Sequence, residues 1–317
     1  MKPKVILYNQ ISEDLVQQME KYCDVVKLST DEERFSAEIP TAKGIIGSGL
    51  NVDIKLLNQA PELQIVTNIS AGYDNLDLVE LERRGIFATN TPDVLNETTA
   101  DTVFGLMISA SRRMPELDAY VKAGKWQSKI TEEHFGMDIH HKTLGIIGMG
   151  RIGMAVAERA HFGFKMNVLY HNRSRKPEAE AYLKAEYAAF DDLLMQSDFV
   201  CLMAPLTPDT VNLIGKREFS LMKETGIFVN GARGTMVVES DLIDALRNGD
   251  IMAAGLDVYQ NEPVEAANPL LKMDNVVTMP HIGSATRETR YKMGIIAVQN
   301  LIQGLNGEVP VNQIHER

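Results

Sequence analysis

The chain has 317 residues, 44% of them hydrophobic and 24% charged, with a formal net charge of −11. That length exceeds what one core ordinarily serves, so two domains are expected. The acidic balance argues against nucleic acid and anionic lipid as partners, and any anionic substrate must be met by local positive charge. Two cysteines, Cys23 and Cys201, are too few for a disulfide framework and fit a reducing cytoplasm. No apolar run approaches the ~18 residues of a membrane span, and the N-terminus reads as a strand instead of a signal peptide.

Taken in chain order, KVILYN (4–9), DVVKL (24–28), GIIGS (44–48), QIVTN (64–68) and GIFATN (85–90) read as strands. Helical patterns near 12–21, 52–59 and 76–84 lie between them. Continuous apolar strands separated by helices indicate a parallel sheet covered on both faces. NETTADTVFGLMISASRRM (96–114) then reads as one longer helix with little charge in its middle. A second series of six strands follows at 142–148, 166–171, 197–203, 225–230, 252–258 and 275–280, the content of a complete dinucleotide-binding domain. The tail 287–307 reads as a helix closed by Gly304 or Gly307. No strand follows it, so it is expected to return to the first domain.

LGIIGMGRIG places Gly148, Gly150 and Gly153 between a strand and a helix. Gly148 permits the tight turn, Gly150 lets the backbone approach a pyrophosphate, and Gly153 lets helix and strand pack closely. This context predicts a dinucleotide site. By the same logic GSG at 47–49, lacking a third glycine, is only a turn.

The second strand of that unit ends in HNRSR, 171–175. An acid here would accept from the 2′-hydroxyl of NAD and repel the 2′-phosphate of NADP. Asn172 stands at that position instead, followed by Arg173, Ser174 and Arg175, with His171 as a further donor. Guanidinium forks suit a phosphate, so the stretch points to NADPH over NADH. Its plainer reading is a solvated basic turn.

Four polar residues follow three successive later strands: Arg233 in IFVNGARGT, Asp257 and Glu262 in GLDVYQNEP, and His281 in VVTMPHIGSAT. Singly, each is more often a paired or structural residue. At neighbouring C-terminal strand ends of a parallel sheet they face one crevice, where such sheets bind ligands. A nicotinamide enzyme needs there a proton donor and, for a carboxylate substrate, a cation.

With NTPDVLNETTADTVFGLM, LGIIGMGRIG, VNGARG, GLDVYQNEP and PHIGSAT, the chain resembles the D-isomer-specific 2-hydroxyacid dehydrogenase family over essentially its whole length. HHKTLGIIGMGRIGMAVAERAHFGF (140–164) is similar to the bacterial glyoxylate/hydroxypyruvate reductase branch, also called 2-ketogluconate reductases. The resemblance implies two doubly wound parallel α/β domains: a flavodoxin-like substrate domain (1–97 and 288–317) with a Rossmann NADP-binding domain (98–287) inserted in it. It implies that Arg233 binds the substrate carboxylate and C2 oxygen, that His281 donates the proton, and that Glu262 pairs with His281. Backbone around Ser70, Ala71 and Gly72 would hold the carboxylate from the first domain, and Asp257 would sit near the nicotinamide carboxamide. Arg151, Ile152, Ala204, Pro205, Gly283 and Ser284 complete the expected cofactor contacts. A homodimer joined through the nucleotide domains is implied as well.

The expected activity is NADPH-dependent reduction of glyoxylate, hydroxypyruvate or 2-ketogluconate. Two alternatives stand beside it: a cofactor-sensing binding protein on the same fold, and a dehydrogenase for D-lactate or phosphoglycerate. No metal site is expected. His140 and His141 are adjacent and do not share a ligand face, and His134 and His161 lack partners at ligand spacing. Trp126 is expected at an interface or in packing.

Overall fold

Short runs of Val, Ile and Leu, apolar on both faces, become the central strands of two parallel sheets. The computed structural model describes residues 2–28 and 32–316. It divides into two units, Met1–Leu95 with Ser284–Arg317, and Asn96–Gly283.

The first unit carries β1 (Lys4–Tyr8), β2 (Asp24–Leu28), β3 (Gly44–Gly47), β4 (Ile65–Asn68) and β5 (Phe87–Thr89). Their order, β2-β1-β3-β4-β5, is flavodoxin-like. Helices α1 (Glu13–Glu20), α2 (Glu32–Glu38), α3 (Ile54–Gln59) and α4 (Leu78–Arg83) connect them. Helix α2 was not anticipated, because EERFSAE has no apolar stripe to read. The closing helix, Arg287–Leu305, lies on the same sheet: a Cβ on Gly304 would come within 2.4 Å of Ile65, and one on Gly44 within 2.9 Å of Leu301. Gly304 is therefore a packing position. The helix is ended by Gly307, whose φ of +76° only glycine adopts without strain.

The inserted unit holds β6 (Thr143–Ile147), β7 (Asn167–His171), β8 (Glu186–Tyr187), β9 (Phe199–Leu202), β10 (Ile227–Asn230), β11 (Ala253–Leu256) and β12 (Val276–Thr278). The order β12-β11-β10-β9-β6-β7-β8 is the Rossmann arrangement with one strand added beyond β11. The sheet thus has seven strands where six were expected. The missing one, β8, pairs only Glu186 and Tyr187 with β7, and both residues are exposed, so no apolar run announces it.

Helices α5 (Asn96–Ser111), α7 (Arg151–Glu158), α8 (Pro177–Leu183), α9 (Phe190–Gln196), α10 (Lys216–Leu221) and α11 (Glu239–Asn248) cover it, while α6 (Met114–Lys122) follows α5 without burying a residue. Val103 and Met107 of α5 and Val156 of α7 fill one face; Phe219, Leu242 and Leu246 fill the other. The single helix expected over 96–114 ends at Ser111, because Arg113 adopts φ 54° and Pro115 restarts the chain as α6. The domain boundary expected after residue 97 consequently lies inside α5.

In the first unit, Glu80 of α4 gathers two guanidiniums: Arg83 at 2.6 and 2.7 Å and Arg84 at 2.6 Å. Arg84 also donates to Leu57 O and Asn58 Oδ1, tying α4 to α3. The hydrogen bonds from Arg83 and Arg84 hold the Glu80 carboxyl down to about 2, below its ordinary 4.5. A depressed carboxyl stabilises the fold above its unfolded value and loses that contribution as pH falls through its folded value. Glu80→Gln should therefore melt below the wild type at pH 7. In thermal melts the gap should start to close below about pH 4.5 and go on shrinking toward pH 2.

Candidate functional site

Strand β6 ends at Ile147, and the chain turns at once. Gly148 takes φ +103°, and a Cβ there would lie 2.4 Å from Ala204 N. The end of β9 thus presses on the turn and excludes any side chain. Gly153 packs as closely, since its Cβ would fall 2.4 Å from Gly148 O. Gly150 is different. It caps α7 in extended geometry, and nothing lies within 4 Å of where its Cβ would be. Two glycines close the turn and the third leaves open space before a helix N-terminus, where the backbone of Arg151 and Ile152 begins the first turn of α7 and the positive end of the helix dipole lies. These residues fit a dinucleotide pyrophosphate.

At the end of β7 the acid position is occupied by Asn172, which faces the turn: Met149 N donates to its Oδ1 at 2.7 Å, and its Nδ2 donates to Met149 O at 3.3 Å. Asn172 thus braces the glycine loop through both ends of its amide. Arg173 and Ser174 are exposed. Arg175 grips Glu180 with Nε and Nη2, both at 2.9 Å, and lies 5.9 Å from the centre of the Tyr187 ring. His171 places Nδ1 3.0 Å from Ala188 O.

The remaining strand ends build one cluster within this unit. Beyond β10, buried Asn230 accepts from Ala232 N and donates to Arg233 O, both at 3.0 Å, which fixes the turn carrying Arg233. Gly234 touches the next loop so closely that a Cβ would overlap Tyr259 C and O at 1.8 Å. Beyond β11, Asp257 is 2% exposed, and both its carboxylate oxygens are engaged, by Ile282 N at 2.7 Å and Gly283 N at 2.8 Å. Its main-chain oxygen takes His281 N at 2.9 Å. Asp257 thereby holds His281 at φ 53°, a left-handed conformation that costs a non-glycine residue ~1–3 kcal/mol unless its surroundings enforce it. Burial pushes the Asp257 carboxyl up, against the pull of those two amides.

His281 Nδ1 sits 2.7 Å from Glu262 Oε2, and Glu262 Oε1 accepts from Tyr259 N at 3.0 Å. Burial raises the Glu262 carboxyl, but the bonds from His281 and Tyr259 and the charges of His281 and Arg233 outweigh it, leaving the group below the ordinary value. Glu262 is thus a fixed anion. The imidazole is half-exposed, and Nε2 is the nitrogen that remains for a ligand.

Ser70, Ala71, Gly72 and Ser284 lie in the other unit. There Asn68 donates to Ser70 Oγ and Gly72 O at 2.9 Å, and Asn90 donates to Ala71 O at 2.8 Å, so side chains shape the backbone after β4. Ala204 follows β9 against the glycine turn, Pro205 comes next and is exposed, and Gly283 is buried beside Asp257. His140 and His141 occupy a turn with rings edge to face, 5.3 Å apart. Among the described residues no group of three His, Cys, Asp or Glu is placed to hold a metal. No helix there is long and apolar enough to cross a membrane. The bracing roles of Asn172 and Asn230 had no sequence signal beyond their places in HNRSR and VNGARG.

Residues 104–283 match the family described as D-isomer specific 2-hydroxyacid dehydrogenase, NAD binding domain. Glyoxylate/hydroxypyruvate reductase B of Escherichia coli is 49% identical over 319 aligned positions, covering 99% of this chain and 98% of that protein. A Thermus thermophilus structure superposes with a TM-score of 0.91 at 36% identity, covering 98% of this chain and 99% of the other. The NADPH-dependent glyoxylate/hydroxypyruvate reductase of Sinorhizobium meliloti, solved with NADP and malonate, gives 0.90 at 29% identity over 100% and 99%. The chain belongs to the D-isomer-specific 2-hydroxyacid dehydrogenase family. It is an oxidoreductase that works with a nicotinamide dinucleotide.

The glycine loop yields a paired test. Gly150→Ala should leave stability within about 0.5 kcal/mol of wild type, yet weaken dinucleotide binding by about tenfold or more, because the methyl enters ligand space. Gly148→Ala should destabilise the fold by about 1–3 kcal/mol through its positive φ and the Ala204 clash. Denaturant melts and dinucleotide titrations separate the two effects.

Proposed function

We propose that this chain reduces small 2-oxo acids with NADPH, with glyoxylate and hydroxypyruvate as the leading substrates and 2-ketogluconate as a further candidate. The observation that carries this reading is the 2.7 Å contact of His281 Nδ1 with Glu262, in one loop cluster with Arg233. Arg233 draws in the substrate carboxylate and polarises its C2 carbonyl. Glu262 orients the imidazole through Nδ1, so that Nε2 faces the carbonyl oxygen. When bound, the nicotinamide supplies a hydride to C2. As the π-electron pair of the carbonyl moves to oxygen, His281 Nε2 gives that oxygen its proton, and the product is a 2-hydroxy acid. Asp257 keeps His281 in place by holding its amide and those of the two residues that follow it.

The arginine-bearing end of β7 supports NADPH over NADH, and the NADPH-dependent relative supports it independently. A purely cofactor-sensing protein would have no use for an imidazole so tightly set against a carboxylate. Lactate and phosphoglycerate remain the rival substrates within the same chemistry. A homodimer joined through the inserted unit is part of the proposal: α6 buries none of its residues, and Trp126, at 62%, is exposed with Val121 and Phe135 nearby in sequence. The two buried free thiols suit a reducing cytoplasm.

A panel of 2-oxo acids with NADPH and NADH side by side, read by loss of reduced-nicotinamide absorbance, tests the activity. No turnover with any short 2-oxo acid would sink it. His281→Ala should lower kcat by about 10²–10⁴ while dinucleotide affinity stays unchanged. Arg173→Asp combined with Arg175→Ala should move preference toward NADH; unchanged preference would reduce the stretch to a solvated turn. Sedimentation should give the mass of two chains, and Val121→Glu with Phe135→Glu should shift it toward one.

A further inference from the structure

Two guanidiniums follow the second Rossmann strand, and the structure treats them differently. Arg173 is exposed and, among the described residues, in no ion pair. Arg175 has two of its donor nitrogens on the two oxygens of Glu180, each at 2.9 Å. Glu180 is itself tethered. The hydroxyl of Tyr170, a residue buried in the sheet, donates to Glu180 Oε1 at 2.6 Å and accepts Lys176 N at 2.7 Å. Tyr187, under the Arg175 guanidinium, donates through its hydroxyl to Asn172 O at 3.3 Å. Glu180 therefore cannot easily swing away from the residues that follow β7.

We propose that Glu180 is a specificity-determining residue of the dinucleotide site: it withholds Arg175 from the cofactor's 2′-phosphate, leaves Arg173 to hold that group, and moderates the preference for NADPH. The inference rests on reading residues 172–175 as the NADP subsite. A phosphate approaching Arg175 meets a carboxylate already hydrogen-bonded to the same fork. It must either share the guanidinium or displace an anion that Tyr170 keeps nearby. An exposed ion pair is weak, so the effect is a several-fold moderation and no block. The simpler alternative makes Glu180 only an acid in the first turn of α8, favourable to the helix dipole. That alternative predicts no change in cofactor affinity.

Glu180→Gln distinguishes them. The amide can still accept at Oε1 from Tyr170 and Arg175 Nε. At Oε2, however, an NH2 would face Arg175 Nη2 donor to donor, so the fork is released. Calorimetric titration of the whole protein with NADPH and with NADH is the readout, with thermal melts verifying the fold. Glu180→Gln should tighten NADPH by about three- to tenfold and leave NADH within about twofold. Arg175→Ala should change NADPH binding little in the wild type and remove the gain in the Glu180→Gln background. Unchanged or weaker NADPH binding in Glu180→Gln overturns the proposal, since Glu180 would then be inert or would position Arg175. Arg173→Ala tests the underlying reading separately: NADPH should weaken by about tenfold. If NADPH binds no tighter than NADH in the wild type and Arg173→Ala alters neither, the NADP subsite is refuted and this proposal falls with it.

Discussion

The interaction on which the site depends is the buried Asp257 carboxylate against the turn after β12. His281 stands at a positive φ, a conformation that a residue with a Cβ leaves unless something opposes the change. Three amides in succession, those of His281, Ile282 and Gly283, are held by the main-chain oxygen and the two carboxylate oxygens of Asp257. Bonds to a charged acceptor are worth ~1.5–3 kcal/mol each, enough to offset the ~1–3 kcal/mol of left-handed strain. With the turn fixed in that way, the imidazole meets Glu262 at hydrogen-bond distance.

The two polar loops beside it are fixed by equally short-range means. Asn230 closes the Arg233 turn with its own amide, and Gly234 lets that turn lie directly on the Tyr259 backbone. Tyr259 in turn offers its amide to Glu262. A cation, an anion and an imidazole are thus carried on three consecutive strand ends, each locked by backbone hydrogen bonds. Such preorganisation is what an active site needs, because groups already in place do not have to be reordered during reaction.

Much of this was legible in the sequence, for an identifiable reason. Continuous apolar runs such as SDFVCLM and TGIFVN have one stable use, the middle of a doubly covered parallel sheet, and polar residues immediately after them must lie at its C-terminal edge. Arg233, Glu262 and His281 were found by that rule. What escaped it lacked an apolar pattern or depended on geometry between side chains. Strand β8 is two exposed residues on an edge, and Arg113 breaks a helix whose composition reads straight through it, although Pro115 carried a signal. Nothing in the spacing of Asp257 says that both of its oxygens face the histidine turn, and nothing in RSRKPE says that Arg175 closes on an acid five residues later.

The pairing of Arg175 with Glu180 alters the charge of the strand end after β7. A strand end with no carboxylate and two arginines reads as strongly basic, yet in the fold Glu180 brings a carboxylate back to it from α8, and Asn172 turns inward to brace the Met149 peptide. The strand end carries no acid, and the nearest paired carboxylate comes from a helix, where it faces a guanidinium. Local charge at such a subsite is then set by pairings across the turn as much as by the residues within it. Arg173, in no ion pair among the described residues, is the guanidinium left exposed at that strand end.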